Sequence, residues 1–66
     1  MKITVNGKET ALEAGCTVET LLREKGIPPA SVVAEHNGRI LSREDFAAVL
    51  LSEGDVLEIL RFVGGG

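Results

Sequence analysis

The sequence predicts an α+β fold in which a mixed sheet carries one main helix on one of its faces. Three observations predict this class. Asn-Gly dipeptides at 6–7 and 37–38 each separate two short extended segments, as the turn of a β-hairpin does. One amphipathic helical segment lies between the two hairpins. The last regular segment, Val56 to Phe62, is apolar on both sides, which is typical of a strand in the middle of a sheet.

The first hairpin is predicted from alternation at the start of the chain. Residues 2–5 alternate polar and apolar side chains, and an extended pattern resumes over residues 8–13. The intervening Asn6-Gly7 tolerates the positive φ angles of a type I′ turn. The residues expected to face the core are Ile3, Val5 and Leu12.

The main helix is predicted over residues 18–25. Thr17 is placed to cap its first amides with a hydroxyl group. Gly26 is expected to end the helix in a left-handed conformation, and the prolines at 28–29 prevent its continuation. The apolar residues with helical spacing are Val18, Leu21 and Leu22.

The second half of the chain repeats the hairpin and adds a helical turn. Residues 31–36 and 39–41 are predicted strands around the second Asn-Gly turn. Ser42, with Asp45 three positions later, resembles a capping box and predicts a short helix. The apolar face of that helix is expected to consist of Phe46, Val49 and Leu50.

The final strand is expected to lie parallel to the first, in the middle of the sheet. Its alternation directs Leu57 and Ile59 toward the helix, which leaves Val56, Glu58 and Leu60 on the other face. Hairpin, helix, hairpin, helical turn and inserted strand make up the β-grasp (ubiquitin-like) architecture. Residues 1–62 are therefore predicted to form one domain.

Residues 63–66 are predicted to form a flexible C-terminal tail. Three consecutive glycines carry high backbone entropy and have no side chain to pack. The tail follows the last strand without a polar linker, and we expect the carboxylate of Gly66 to be the reactive group.

Composition excludes several classes of function. A chain of 66 residues leaves little room for a catalytic pocket beside a core, so we expect no enzyme activity. A net charge of -3 with seven Lys and Arg and no basic cluster argues against nucleic-acid or membrane surfaces. No apolar run approaches the roughly 20 residues of a membrane span, and the start of the chain is not a signal peptide, so a cytoplasmic protein is expected.

The remaining chemically capable side chains are expected to be structural. Cys16 has no His or Lys beside it and is interpreted as a small loop residue. His36 is interpreted as a strand residue beside a turn, and no Cys/His spacing predicts a metal site. The acids expected to lie on the solvated surface are Glu9, Glu13, Glu19, Glu24, Glu53 and Asp55.

Over essentially its whole length the sequence resembles the ubiquitin-like sulfur carrier proteins, and among them the ThiS family of thiamine (thiazole) biosynthesis. Above all, the resemblance lies in residues 58–66, which run Glu-Ile-Leu-Arg-Phe-Val-Gly-Gly-Gly. It also includes the strand and turn over 1–7, Thr17-Val18, Leu21-Leu22, Val33-Ala34, Asn37, Ile40 and Gly54-Asp55.

The resemblance implies a reaction at Gly66, with Gly65 next to it in the activating site. A ubiquitin-activating-like adenylyltransferase would use ATP to adenylate Gly66, and a persulfide donor of the cysteine desulfurase type would supply sulfur. The resulting thiocarboxylate would donate its sulfur to a thiazole synthase. The partner enzyme uses the ATP, and the carrier itself is expected to bind no cofactor.

A partner that acts on the terminus is expected to dock near the end of the last strand. The four residues of the tail span at most about 13–14 Å, which leaves little reach. Leu60 and Phe62 are expected to anchor both partner enzymes in turn. The full set of expected partner contacts is Val56, Glu58, Leu60, Arg61, Phe62, Val63 and Gly64.

Two alternatives stay open on the sequence. The first is a sulfur carrier of another pathway. A carrier for molybdopterin synthesis is disfavoured because such carriers are longer and have a Pro-containing segment before the tail. Carriers for cysteine or methionine synthesis are harder to distinguish from this sequence. A β-grasp interaction module with no chemistry at its end is the other alternative. Function that survives a C-terminal extension would favour such a module.

Overall fold

The computed structural model describes residues 1–62, which form five strands and two helices. The strands are β1 (Lys2–Val5), β2 (Lys8–Ala11), β3 (Val32–His36), β4 (Arg39–Leu41) and β5 (Val56–Arg61). The helices are α1 (Val18–Glu24) and α2 (Asp45–Ala48), with a 3₁₀ turn at Pro29–Ser31. The strands form one sheet in the order β2-β1-β5-β3-β4, helix α1 packs on one face of it, and the predicted β-grasp fold is confirmed.

Strand β5 occupies the centre of the sheet, as its two apolar sides predict. It pairs parallel with β1, with Val5 opposite Leu57, and antiparallel with β3, with Ala34 opposite Ile59. The hairpins β1–β2 and β3–β4 flank it on either side. The last strand is therefore held between the two hairpins by backbone hydrogen bonds on both of its edges.

Both hairpin turns have the backbone geometry that Asn-Gly predicts. The φ angles are 50° at Asn6 and 82° at Gly7, and 51° at Asn37 and 83° at Gly38. These left-handed values at both central positions are those of a type I′ turn.

Helix α1 begins and ends where its capping residues predict. The Thr17 hydroxyl accepts a hydrogen bond of 3.1 Å from the Thr20 N–H. Gly26 has a φ of 71°, and the next N–H, from Ile27, donates to the Leu22 carbonyl at 2.9 Å. The helix ends at Glu24, one residue before the predicted end.

The core lies between α1 and the face of the sheet that bears Ile3, Val5, Leu57 and Ile59, as expected. Leu57 on the central strand and Leu22 on α1 are both 0% exposed. Leu12 packs against this core while partly buried. The buried apolar residues are Ile3, Val5, Cys16, Val18, Leu21, Leu22, Val32, Ala34, Leu41, Phe46, Leu51, Leu57 and Ile59.

The expectation that Leu50 packs on a helical face is wrong. Helix α2 ends at Ala48, and Val49 is extended, with φ −88° and ψ 117°. Side chains then alternate with a period of two, so Leu50 is 62% exposed and Leu51 is buried instead. The Leu51 N–H donates to the Cys16 carbonyl at 2.9 Å, which fixes this arrangement.

Only one half of the predicted capping box forms. The Asp45 carboxylate accepts a hydrogen bond of 3.0 Å from the Ser42 N–H. The residue at the N-cap of α2 is Glu44, and its side chain makes no capping hydrogen bond. A helix of four residues is thus held mainly by the burial of Phe46.

Candidate functional site

The face of the sheet opposite α1, which we call the open face, presents the predicted docking residues of β5. Val56 is 44% exposed and Leu60 is 62% exposed, and Glu58 between them is exposed as well. Phe62, directly after the strand, is 64% exposed. These four residues therefore form a largely apolar surface along β5, and Leu60 and Phe62 lie at the end of the strand that leads to the tail.

Two further apolar residues, which were not predicted from the sequence, extend this surface. Val33 on β3 lies directly opposite Leu60 and is half-buried. Ile40 on β4 is 67% exposed on the same face, since its neighbour Leu41 is buried. The alternation within the second hairpin was a signal that could have identified both. Exposed or half-buried apolar residues of the open face thus lie on three strands.

Two acidic residues lie side by side within the open face. Glu35 on β3 is directly opposite Glu58 on β5. Residues in such positions have Cβ atoms about 4.5–5.5 Å apart, and like charges there destabilise a sheet. A cationic group of a partner, placed between the two carboxylates, would relieve that repulsion.

The structure separates Arg61 from Val56, Glu58 and Leu60, the other predicted contact residues within β5. Alternation along β5 places Arg61 on the α1 side of the sheet, where it lines a groove together with Ile27 and Ile59. Leu60 lies on the opposite face. Arg61 and Leu60 therefore cannot belong to one flat contact surface.

The remaining predicted site residues fall outside the part of the chain that the structure describes. They are the two residues expected to take part in the chemistry and two of the expected partner contacts. These residues are Gly65, Gly66, Val63 and Gly64.

Asn6 holds the end of β5 that leads to the tail. The Asn6 N–H makes the last backbone hydrogen bond between β1 and β5, to the Leu57 carbonyl at 2.9 Å, and the chain then turns, so the backbone of Asn6 does not bond to Ile59. Its side chain does so instead: Oδ1 accepts from the Ile59 N–H at 2.7 Å, and Nδ2 donates to the Ile59 carbonyl at 3.2 Å. The side-chain amide thus replaces the missing backbone partner of β5.

Asn37 does the same at the other end of β5, from the opposite side. Its N–H donates to the Val56 carbonyl at 2.8 Å, and its Oδ1 accepts from the Val56 N–H at 2.8 Å. The two Asn residues therefore form turns and also bond the first and fourth residues of the central strand, Val56 and Ile59. Asn-Gly in the sequence indicated only the turns.

Replacing Asn6 by Gly is expected to destabilise the protein by about 1–3 kcal/mol. Gly keeps the positive φ angle, but the Ile59 N–H and carbonyl lose their partners in a partly buried position. Urea unfolding measures the loss, and faster exchange of the Ile59 amide locates it. Asn6→Asp, which keeps one acceptor, should be less damaging. Unchanged stability and exchange in Asn6→Gly would contradict this role.

His36 and Asp55 form a pair that was not predicted from the sequence. The expectation that Asp55 is a solvated surface acid is wrong. The two side chains are only 19% and 13% exposed, and His36 Nε2 lies 2.7 Å from Asp55 Oδ2. Partial burial alone would raise the pKa of Asp55. Hydrogen bonds from His36, the Ser52 N–H and Asn37 outweigh that effect and lower the pKa below its ordinary value.

This pair lies at the wrong end of β5 for chemistry on the tail. Asp55 directly precedes the strand, whereas the tail follows its other end. The carboxylate also accepts from the Ser52 N–H at 2.8 Å and from Asn37 Nδ2 at 3.1 Å. We therefore interpret His36 and Asp55 as a structural connection between the second hairpin and the turn before β5.

Cys16 has the environment of a structural thiol. It is 6% exposed, and its Sγ lies 3.4 Å from the Thr17 carbonyl. Burial raises its pKa, and the carboxylates of Glu24 and Glu13 raise it further. A reactive cysteine needs the opposite shift, because the thiolate is the nucleophile.

Within residues 1–62, no group of three or more His, Cys, Asp or Glu residues is placed to hold a metal ion. No helix in the same range is long and apolar enough to cross a membrane.

Both the sequence and the fold of this chain match those of known proteins. A model of the ThiS family matches residues 2–66. The sulfur carrier protein ThiS of Bacillus subtilis is 34% identical over 65 residues, which cover 97% of this chain and 98% of that protein. Proteins named thiazole synthase from Paramagnetospirillum magneticum and Magnetococcus marinus are 42% and 44% identical over 66 residues. Those matches cover 100% of this chain and 20% of each relative, so the chain spans about a fifth of their length.

A solved structure shares the whole fold. The crystal structure of the thiamine biosynthesis protein (ThiS) from Geobacter metallireducens has a TM-score of 0.81 and 40% identity, and the match covers 100% of both chains. The solution structure of the same organism's thiamine biosynthesis protein has a TM-score of 0.78 and 39% identity, with 100% of this chain and 88% of that chain covered.

Proposed function

This chain belongs to the ThiS family, and from that premise we propose that it is a sulfur carrier of thiamine biosynthesis. One observation carries the proposal: the match to the sulfur carrier protein of Bacillus subtilis covers nearly the whole of both proteins. The carrier is not an enzyme in this account. It is a co-substrate that two enzymes process in turn, and we expect it to act in the cytoplasm, where ATP is available.

The proposed reaction takes place at the carboxylate of Gly66. A carboxylate is a poor electrophile, and transfer of AMP from ATP gives an acyl adenylate with release of pyrophosphate. A persulfide then attacks the acyl carbon and displaces AMP. A thiol reduces the resulting acyl disulfide, which leaves the thiocarboxylate on Gly66 and a disulfide on the donor. The adjacent Gly65 lets the chain enter a narrow site that excludes water from the adenylate.

The contribution of residues 1–62 to this reaction is to fix the position of β5, the strand that precedes the tail. Strand β5 is bonded on both edges and is fixed near its ends by Asn6 and Asn37. The Phe62 N–H donates to the Ser31 carbonyl at 2.9 Å, so the backbone is held up to the last described residue. An enzyme that binds the sheet therefore also sets the position from which the tail starts.

The proposed docking surface is the open face around Leu60 and Phe62. Both side chains are more than half exposed, and Val33 and Ile40 extend the apolar area. Glu58, beside Glu35, would receive a cationic side chain of the partner and so fix its orientation. Hydrophobic anchors with a charged contact beside them are the usual composition of a binding hot spot.

The proposed partners are an adenylyltransferase of the ubiquitin-activating type, a persulfide donor of the cysteine desulfurase type and a thiazole synthase. The last is supported by relatives named thiazole synthase, in which a match to this entire chain makes up a fifth of the protein. ATP belongs to the adenylyltransferase, and no cofactor is assigned to the carrier.

The first chemical step is tested by ATP–pyrophosphate exchange. With the cognate adenylyltransferase, exchange of labelled pyrophosphate into ATP is expected only when this protein is added, because its carboxylate accepts the AMP. Amidation of the terminal carboxylate serves as the matched control and should abolish exchange. Exchange that proceeds equally with the amidated protein would contradict adenylation at Gly66.

A further inference from the structure

A groove runs along the α1 side of the end of β5, on the side of the sheet opposite the open face. Its floor is apolar and its volume is about 590 Å³. The floor consists of Val5, Ile27 and Ile59, and the rim carries Lys8, Lys25 and Arg61. The groove therefore lies immediately before the tail but is not part of the docking surface described above.

The rim has the opposite charge to the protein as a whole. It collects three of the seven Lys and Arg residues, although the net charge of the chain is -3, and no Asp or Glu lines the groove. Lys8, Lys25 and Arg61 are exposed, and none of them takes part in a salt bridge among residues 1–62. Within the described part of the chain these cations are not neutralised, and they can pair with a negatively charged partner.

The groove also runs beside an unpaired stretch of strand. The Phe62 N–H bonds to Ser31 on the β3 side, so in an alternating ladder the N–H and carbonyl of Arg61 point away from β3. Ile59 points the same way and is bonded by Asn6. Beyond Asn6 the first hairpin turns back, and no hydrogen bond from residues 1–62 reaches the Arg61 backbone.

We propose that this groove binds an extended acidic segment of a protein partner, which adds to the sheet by pairing with the backbone of Arg61. Side chains of the added strand would contact the apolar floor, and its carboxylates would lie beside Lys8 and Lys25. An unpaired strand edge next to pockets for alternate side chains is what strand addition requires.

An extended protein segment explains more of the groove than a small anion does. Three cations alone would suit phosphate or pyrophosphate, but neither ligand uses an apolar floor or the N–H and carbonyl of Arg61, which no residue in 1–62 bonds. The inference rests on the proposed function in one respect only, which is the identity of the partner. An enzyme that acts on the tail comes close to this groove, and we assign the extended acidic segment to such an enzyme.

The test is a titration of the ¹⁵N-labelled protein with an octapeptide of alternating Glu and Thr, followed by NMR. Chemical shifts are expected to change at the amides of Asn6, Lys8, Lys25 and Arg61. The amide of Arg61, which has no partner among residues 1–62, should exchange about tenfold more slowly in the complex. An octapeptide of alternating Lys and Thr is the matched control and should cause no shift.

Charge-reversal variants locate the interaction. Lys8→Glu with Lys25→Glu should weaken peptide binding by about tenfold or more, since like charges across an interface are strongly unfavourable. Arg39→Glu with Arg43→Glu changes the net charge equally at exposed positions outside the groove and should leave binding within about twofold.

Several results would overturn the proposal. They are equal weakening by both double variants, shifts confined to the open face, the same shifts with pyrophosphate alone, or no shifts with millimolar peptide. Because the titration involves neither ATP nor sulfur, its failure would leave the chemistry at Gly66 standing. Conversely, an unreactive Gly66 would leave a positive titration valid.

Discussion

Deletion of Gly66 is expected to lower the rate of thiocarboxylate formation by at least about 100-fold while the thermal midpoint of the protein stays the same. The shortened chain still ends in two glycines, but its carboxylate would lie up to about 3.3–3.6 Å short of the adenylation site. A misplacement of about 1 Å is enough to cost roughly 100-fold in rate. The midpoint should not change because the buried core lies within residues 1–62.

Gly65→Ala tests how the width of the tail affects the rate, independently of its length. The variant keeps the full reach but adds a methyl group where the activating site is expected to be narrow, so its rate should fall as well. Single-turnover kinetics and thermal denaturation of both variants give the two quantities. A midpoint lowered as much as by a core substitution would show that the tail is packed, contrary to this account.

Leu60→Ala and Phe62→Ala are each expected to weaken binding to the adenylyltransferase and to the thiazole synthase by more than about 1 kcal/mol. Both side chains are more than 60% exposed, so little of the native packing depends on them. In a complex they would be the buried anchors of the open face. Calorimetric titration of each variant with each partner measures the effect, and wild-type affinity for both partners would place the docking surface elsewhere.

Leu57→Ala is the matched control for Leu60→Ala on the same strand. Leu57 is 0% exposed, and its truncation should cost about 2–5 kcal/mol of folding free energy. Leu60→Ala should leave the folding free energy nearly unchanged. Comparable destabilisation by the two variants would mean that the open face is not free for a partner.

The hairpin turns, the ends of α1 and the central position of β5 were predictable because each depends on a short stretch of sequence. Asn-Gly at each hairpin forces left-handed backbone at two successive positions, and the structure has it at Asn6 and Asn37. Thr17 and Gly26 likewise mark the ends of α1 through their own geometry. The central position of β5 followed from one strand that is apolar on both faces.

What the sequence left unpredicted depends on contacts between distant parts of the chain. Leu50 and Leu51 are both suitable for burial, and the point where α2 ends decides between them. The contact of His36 with Asp55 spans 19 residues, and that of Asn6 with Ile59 spans 53. The propensity of a residue for a turn or strand carries no information about such partners.

The candidate site likewise has one part that was predictable from the sequence and one part that was not. Alternation along β5 predicted which side chains are exposed, and Val56, Leu60 and Phe62 are where it placed them. The groove was not predictable, since its three cations lie at positions 8, 25 and 61 and form no cluster in the sequence. Only the folding of α1 and the first hairpin against the end of β5 brings them together.

If Gly66 carries sulfur, the intact mass of the protein must change when the carrier is loaded. After incubation with ATP, the cognate adenylyltransferase, a persulfide donor and a thiol, the mass should rise by the difference between one sulfur and one oxygen atom. Fragmentation should assign that increase to the C-terminal residue. An unchanged mass, with an adenylyltransferase shown to be active on another carrier, would contradict the account.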